Sequence, residues 1–139
     1  MVDGDTVARS LSTLADYISD ETHSPTFMEC DNFERVYKAL HSFPDNNKVQ
    51  LYGCLLMERI AITETNCTAI ISSGGVEHVM ACMDTKCWRI LVVCLKFLLK
   101  IARHVPSGIR KRETVAIALS VKQEQPALSS LCNTLLSML

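Results

Sequence analysis

One spacing of apolar residues occurs four times along the chain and predicts four related helices. From Val7, apolar residues stand at relative positions 0, 4, 7 and 11. That spacing places them in one stripe along an α-helix. The spacing recurs from Val49, Ile90 and Leu128, at offsets of 42, 41 and 38 residues, with Gly53 taking one stripe position. We call the four segments, residues 7–18, 49–60, 90–101 and 128–139, the stripe helices.

A different kind of helix is predicted between the stripe helices. Residues 33–40 align with residues 76–83 at an offset of 43, with apolar residues at matching positions and Glu34 opposite Glu77. A weaker copy follows at 112–119. We call these segments the intervening helices. Two helix types that alternate with a period near 40 residues are typical of an α-solenoid.

Turn residues separate the predicted helices, and no run of alternating apolar and polar residues predicts a strand. Pro106 and Pro126 stand at two of these breaks, where proline ends or begins a helix. Gly74 and Gly75 form another, a tight turn in which one glycine takes a positive φ. The sequence therefore predicts one all-α domain over residues 1–139, with about three repeats and a terminal helix.

Composition limits the class of protein. At 139 residues, with 48% hydrophobic and 21% charged residues, the chain is long and apolar enough for one packed domain. The net charge of −1 divides into −6 over residues 1–47 and +5 over residues 48–139.

The longest apolar stretch, Ile90 to Leu99, contains Lys96 and is too short to span a bilayer. Seven cysteines without a secretory signal favour reduced thiols in the cytoplasm or nucleus, with no membrane partner.

The segment from Val49 to Met83 resembles an armadillo repeat. Its stripe helix begins with Val49-Gln50 and ends with Ile60-Ala61, and an Ile-Ala pair recurs at Ile101-Ala102. An Ile-x-x-Gly-Gly-Val turn, residues 71–76, leads into the intervening helix. HEAT repeats have similar helices and lengths, so an armadillo/HEAT-like α-solenoid is the expected fold.

The resemblance implies a scaffold that binds an extended peptide or a partner helix in a groove. By this resemblance, the stripe helices correspond to the second helix of each repeat and the intervening helices to the third. The third helices would line the groove. Importin-like members carry asparagines late in the second helix, where this chain has Arg59 and Lys100, which argues against nuclear-signal binding. The expected contact residues are the outward polar positions of the third helices: Glu34, Arg35, Lys38, Glu77 and His78.

Two further surfaces give alternative functions. Arg110, Lys111 and Arg112 form the densest basic cluster, which could contact an acidic partner or, in a helical-repeat protein of another class, nucleic acid. A pI near 6.4 and 6% aromatic residues argue against nucleic acid. The last helix ends in an apolar run, Leu135 to Leu139, which predicts an exposed end for a partner or a homodimer.

No pattern predicts catalysis, a metal site or a cofactor. The chain has no Cys-x-x-Cys pair for zinc, and Gly74-Gly75 is too short to bind phosphates. His78 and Cys82 share one helix face, but Cys82 aligns with Ala39 and is expected to fill the core. The helix that begins at Trp88 is apolar almost all round, so we expect it at the centre of the domain. The sequence therefore favours a non-catalytic protein-interaction module.

Overall fold

The computed structural model describes residues 3–18 and 32–139. These residues form eight α-helices and no strand, so the predicted all-helical class is confirmed. In chain order the helices are α1 (Gly4–Tyr17), α2 (Asn32–Ser42), α3 (Asn47–Ile60), α4 (Glu64–Ser72), α5 (Gly75–Ala81), α6 (Trp88–His104), α7 (Lys111–Glu124) and α8 (Ser129–Ser137). Short 3₁₀ helices at Pro106–Gly108 and Pro126–Leu128 precede α7 and α8.

Side-chain caps fix the starts of three helices. The Asp3 carboxylate accepts a hydrogen bond from the Thr6 amide at 2.8 Å. The Asn46 side chain accepts from the amides of Lys48 and Val49, both at 3.1 Å. Thr63 caps α4 in the same way. These caps satisfy amides that have no partner inside the helix.

The stripe helices pack against one another in chain order: α1 on α3, α3 on α6, and α6 on α8. The stripe residues of α3 and α6 are all buried. Exceptions occur only in the first and last helices, where Leu14 is 38% exposed and Val7 and Leu139 are half-buried. The stripe therefore marks the buried side of each of these helices.

Two ion pairs join successive stripe helices at matching positions. The Arg59 Nη1 atom lies 3.0 Å from Asp16 Oδ1, and the Lys100 Nζ atom lies 2.9 Å from Glu58 Oε1. Positions are counted here from the first residue of each stripe helix. In each pair the base lies one position later in its stripe helix than the acid does in the preceding stripe helix. Arg59 and Lys100 thus connect neighbouring helices.

Two of the intervening helices, α2 and α5, contact α3 and each other. The Gln50 amide donates to the carbonyls of Leu40 and Phe43, at 2.9 and 3.1 Å, which satisfies the last turn of α2. Gly53 gives Leu40 room to approach, because a Cβ there would stand 2.6 Å from a Leu40 methyl.

Three features differ from the sequence predictions. Helix α4 was not predicted, although Thr63 caps it and Cys67 and Ile70 are buried on its inner face. Trp88 begins the central helix α6 but is itself 56% exposed. In α8, Leu136, Met138 and Leu139 are half-buried against the core, so the apolar end is less exposed than the sequence suggested.

Candidate partner-binding groove between helices α2 and α5

Most of the predicted contact residues meet on one surface. An open groove of about 420 Å³ is lined by Glu34, Arg35, Tyr37, Lys38 and His41 of α2 and His78 of α5. We call it the α2–α5 groove. Glu34, Arg35 and Lys38 are exposed, and His78 is half-buried. The two intervening helices that align at an offset of 43 residues therefore also have their polar faces close together.

A stack of three rings joins the two helices of the groove. The ring centroids of Phe33 and Tyr37 are 6.1 Å apart, and those of Tyr37 and His78 are 4.3 Å apart. Both pairs are nearly parallel, at 10° and 11°. Stacked rings bury area in a defined geometry, so they fix the spacing of the helices more firmly than aliphatic contacts would.

Tyr37 is also held by a hydrogen bond at its buried end. Its hydroxyl lies 2.7 Å from Ser73 Oγ, and the Ser73 hydroxyl donates to the Ile70 carbonyl at 3.0 Å. Because the Ser73 proton is used in that bond, the Tyr37 hydroxyl is the donor to Ser73. Burial raises the pKa of Tyr37 to about 12, so the hydroxyl stays protonated as a donor through neutral pH.

The two glycines set the start of α5. Gly74 has a φ of 84°, as the predicted tight turn requires, and it is the one residue with positive φ in the described part of the chain. Gly75 has no space for a side chain, since a Cβ would lie 2.6 Å from the Tyr37 hydroxyl oxygen and 2.5 Å from an Ile70 methyl. This close approach allows α5 to place His78 on the Tyr37 ring.

Charges of both signs surround the groove. Glu77 is exposed on α5, and its Oε1 lies 3.5 Å from Arg110 Nε. Arg110 therefore joins the α5 side, although the sequence assigned it to a separate basic cluster. Lys111 and Arg112 are exposed at the start of α7 and do not line the groove.

A larger cleft of about 670 Å³ continues from the groove. His41 and His78 line both spaces, and Asp45 and Asp84 stand on the far side of the cleft. Within residues 3–18 and 32–139, no three His, Cys, Asp or Glu side chains are grouped so that they could hold a metal ion. The groove and the cleft together form an open surface with both apolar and polar parts.

The described thiols pack as core residues. Cys54, Cys82 and Cys94 are buried near one another between α3, α5 and α6. A hydrogen bond with Cys54, and burial, raise the pKa of Cys82, and burial raises that of Cys67 to about 11. Because the thiolate is the reactive form of cysteine, the raised pKa values of Cys82 and Cys67 favour the protonated, unreactive thiol at these two positions. None of the described helices is long and apolar enough to cross a membrane.

Sequence reasoning missed the residues that organise the groove. Tyr37 was not among the predicted contact residues, and Ser73 was noted only as part of the turn over residues 71–76. The spacing of Phe33 and Tyr37, four residues apart on one helix face, was a signal for the first stacked pair. Nothing local predicted Ser73, because 36 residues separate it from Tyr37.

No protein-family model, curated protein or solved structure matches this chain. The resemblance to armadillo repeats therefore depends only on the residues that suggested it.

Proposed function

We propose that the chain is a non-catalytic helical-repeat scaffold, with armadillo/HEAT-like α-solenoid geometry, that binds a segment of a partner protein in the α2–α5 groove. The observation that carries the proposal is the packing of like helices on like. Helices related by 41 to 43 residues in sequence lie side by side, so equivalent exposed positions form a continuous surface. Extended surfaces of this kind are how solenoids bind their partners.

The groove itself supports recognition by shape and hydrogen bonding. Its floor is rigid, because the Tyr37 ring is stacked on His78 and its hydroxyl is hydrogen-bonded to Ser73. Its rim carries flexible charged side chains of both signs, Glu34, Arg35 and Lys38. A rigid aromatic floor with a polar rim is the usual anatomy of a protein interface.

The test compares partner capture by two variants of equal charge change. In the groove variant, Arg35→Glu and Lys38→Glu reverse the α2 rim. In the control, Lys86→Glu and Lys122→Glu reverse two bases that line neither the groove nor the basic cluster at residues 110–112. We expect a protein that wild type and the control retain from native lysate, and that the groove variant loses. Circular dichroism establishes that both variants fold.

Retention of the same proteins by all three forms would refute the groove assignment. A partner lost only with Lys111→Glu and Arg112→Glu would move the site to the basic cluster. A molecular mass that rises with concentration, together with no captured partner, would instead favour the homodimer.

A further inference from the structure

On the face of α3 that points away from α2, two basic residues lie in one row along the helix. Lys48, Tyr52, Leu55 and Arg59 follow each other at spacings of 4, 3 and 4 residues, which places them on one side of the helix. Gln50, which binds the α2 carbonyls, lies two residues from Lys48 and so on the opposite side. This face is therefore separate from the α2–α5 groove.

Helix α6 lies beside α3 and adds charged residues to the same face, all of them basic. Arg89, Lys96 and Arg103 are exposed at spacings of seven residues, close to two turns of helix. Cys94, whose thiol lies 3.8 Å from the Val79 carbonyl of α5, is on the opposite side from Lys96. Lys100 lies at the border with α3, where its Nζ donates to the Glu58 carbonyl at 2.9 Å.

Half of the chain's 14 lysines and arginines lie on this surface. On α1, Arg9 lines a shallow depression with Lys48 and Tyr52, so the surface extends across three stripe helices. Among the described residues, the carboxylates of this surface are Asp3, which lies near Arg9, and Asp5, Asp16 and Glu58, whereas α6 contributes none. We call this surface the cationic face; its bases are Arg9, Lys48, Arg59, Arg89, Lys96, Lys100 and Arg103.

We propose that the cationic face binds an acidic, extended segment of a partner protein. Packed helices lie about 8–10 Å apart, and an extended chain advances about 3.3 Å per residue. Carboxylates at every third position of such a segment would therefore meet the bases of successive helices. Tyr52, Leu55 and Val93, which are half-buried between the bases, offer apolar contact to the residues in between.

The pattern of charge favours a peptide over nucleic acid. A polynucleotide carries a phosphate at every step, so it would bring negative charge against Asp16 and Glu58. A peptide can place a neutral residue opposite each of these carboxylates. Trp88, 56% exposed with Arg89 5.7 Å from its ring, lies at the start of α6 and adds a rigid apolar contact at the border. This inference concerns a second surface and does not depend on the α2–α5 groove.

The test measures binding of a labelled peptide, Ser-Pro-Glu repeated four times, by fluorescence anisotropy. We compare the full chain with the face variant, Arg89→Glu and Lys96→Glu, and with Lys111→Glu and Arg112→Glu, which makes the same charge change away from the face. We expect saturable binding that weakens by at least about tenfold in the face variant and by less than about twofold in the control. A Ser-Pro-Lys peptide should not bind.

Several results would overturn the proposal. Equal losses in both variants would show that overall charge, and not this face, attracts the peptide. Tighter binding of an oligothymidylate of equal length would make the face a nucleic-acid surface. Self-association that the face variant abolishes would make it an interface between copies. Should the face variant melt early, Arg89→Gln with Lys96→Gln replaces it, and an unchanged affinity would then refute the proposal.

Discussion

The α2–α5 groove and the cationic face differ in how their charged and aromatic side chains are arranged. In the α2–α5 groove, charges of opposite sign stand close together and stacked rings define the shape. On the cationic face, bases dominate, and the two that are paired reach back to the preceding helix. Because mixed charges largely cancel at a distance, we expect the groove to recognise a partner by contact and the cationic face to attract an acidic segment from farther away.

This contrast predicts different responses to salt. Attraction by several like charges weakens as ions screen them, over a length of about 8–10 Å at cellular ionic strength. Stacking and hydrogen bonds in a fixed groove change much less. Partner binding at the groove should therefore persist at salt concentrations that remove an acidic peptide from the cationic face.

The largest effect is expected from Gly75→Ala, which damages the groove alone. The added Cβ would collide with the Tyr37 hydroxyl and with Ile70, including its backbone carbonyl, so α5 must move. We expect a loss of about 2–3 kcal/mol in the free energy of unfolding, measured with urea. Gly53→Ala is the matched control, because its Cβ meets the flexible end of Leu40 and alanine favours a helix interior. An equal loss at Gly53 would contradict the account of the Gly75 contact.

Tyr37→Phe should have a smaller effect, about 1 kcal/mol, because it removes one buried hydrogen bond and keeps the ring stack. It should also remove a late step from the ultraviolet titration of the three tyrosines. The folded pKa of Tyr37 is raised to about 12, so an unfolded chain releases this proton first. The stabilisation is complete below about pH 10 and is lost as the pH rises towards 12.

Lys100→Met tests the pairing between helices on the opposite side. It removes the ion pair with Glu58, whose side chain is only 14% exposed, and the bond to the Glu58 carbonyl. We expect about 0.5–1 kcal/mol of destabilisation in thermal or urea unfolding. Lys96→Met removes an equal charge from the same helix and should change stability by less than about 0.3 kcal/mol. Matching losses would mean that charge alone, without pairing, accounts for the effect.

Arg110→Ala should have the smallest effect on stability, below about 0.5 kcal/mol. Its partner Glu77 is 3.5 Å away, and both side chains are about half exposed, so solvent screens the pair. The melting temperature should hardly change, while partner capture at the groove should weaken if Arg110 helps to shape the rim. A substantial drop in melting temperature would show that the pair has a structural role.

Local pattern predicted most of the fold. The stripe and the intervening helices follow from spacing alone, because a helix with apolar residues on one side must bury that side. The start of α3 was predictable from Asn46, and the turn before α5 from Gly74. Helix α4 was missed, because its buried positions, Cys67 and Ile70, are too few to show a clear period over nine residues.

The candidate site was predicted in part. Glu34, Arg35, Lys38 and His78, which the sequence predicts as contact residues, line the α2–α5 groove. Tyr37 and Ser73 were not predicted, since their bond joins residues far apart in the chain. The cationic face was not anticipated either, because its bases are spread singly over three helices and form no run in the sequence.

Which residues form helices, and which side of each helix is apolar, can be predicted from the sequence, since both depend on interactions within a few residues. Which charges and rings meet depends on the tertiary packing. Arg59 pairs with Asp16, and Tyr37 stacks on His78, across about 40 residues of chain. Such contacts depend on how far each helix shifts and rotates against its neighbour. The packing of the whole core sets those shifts, and no local segment contains that information.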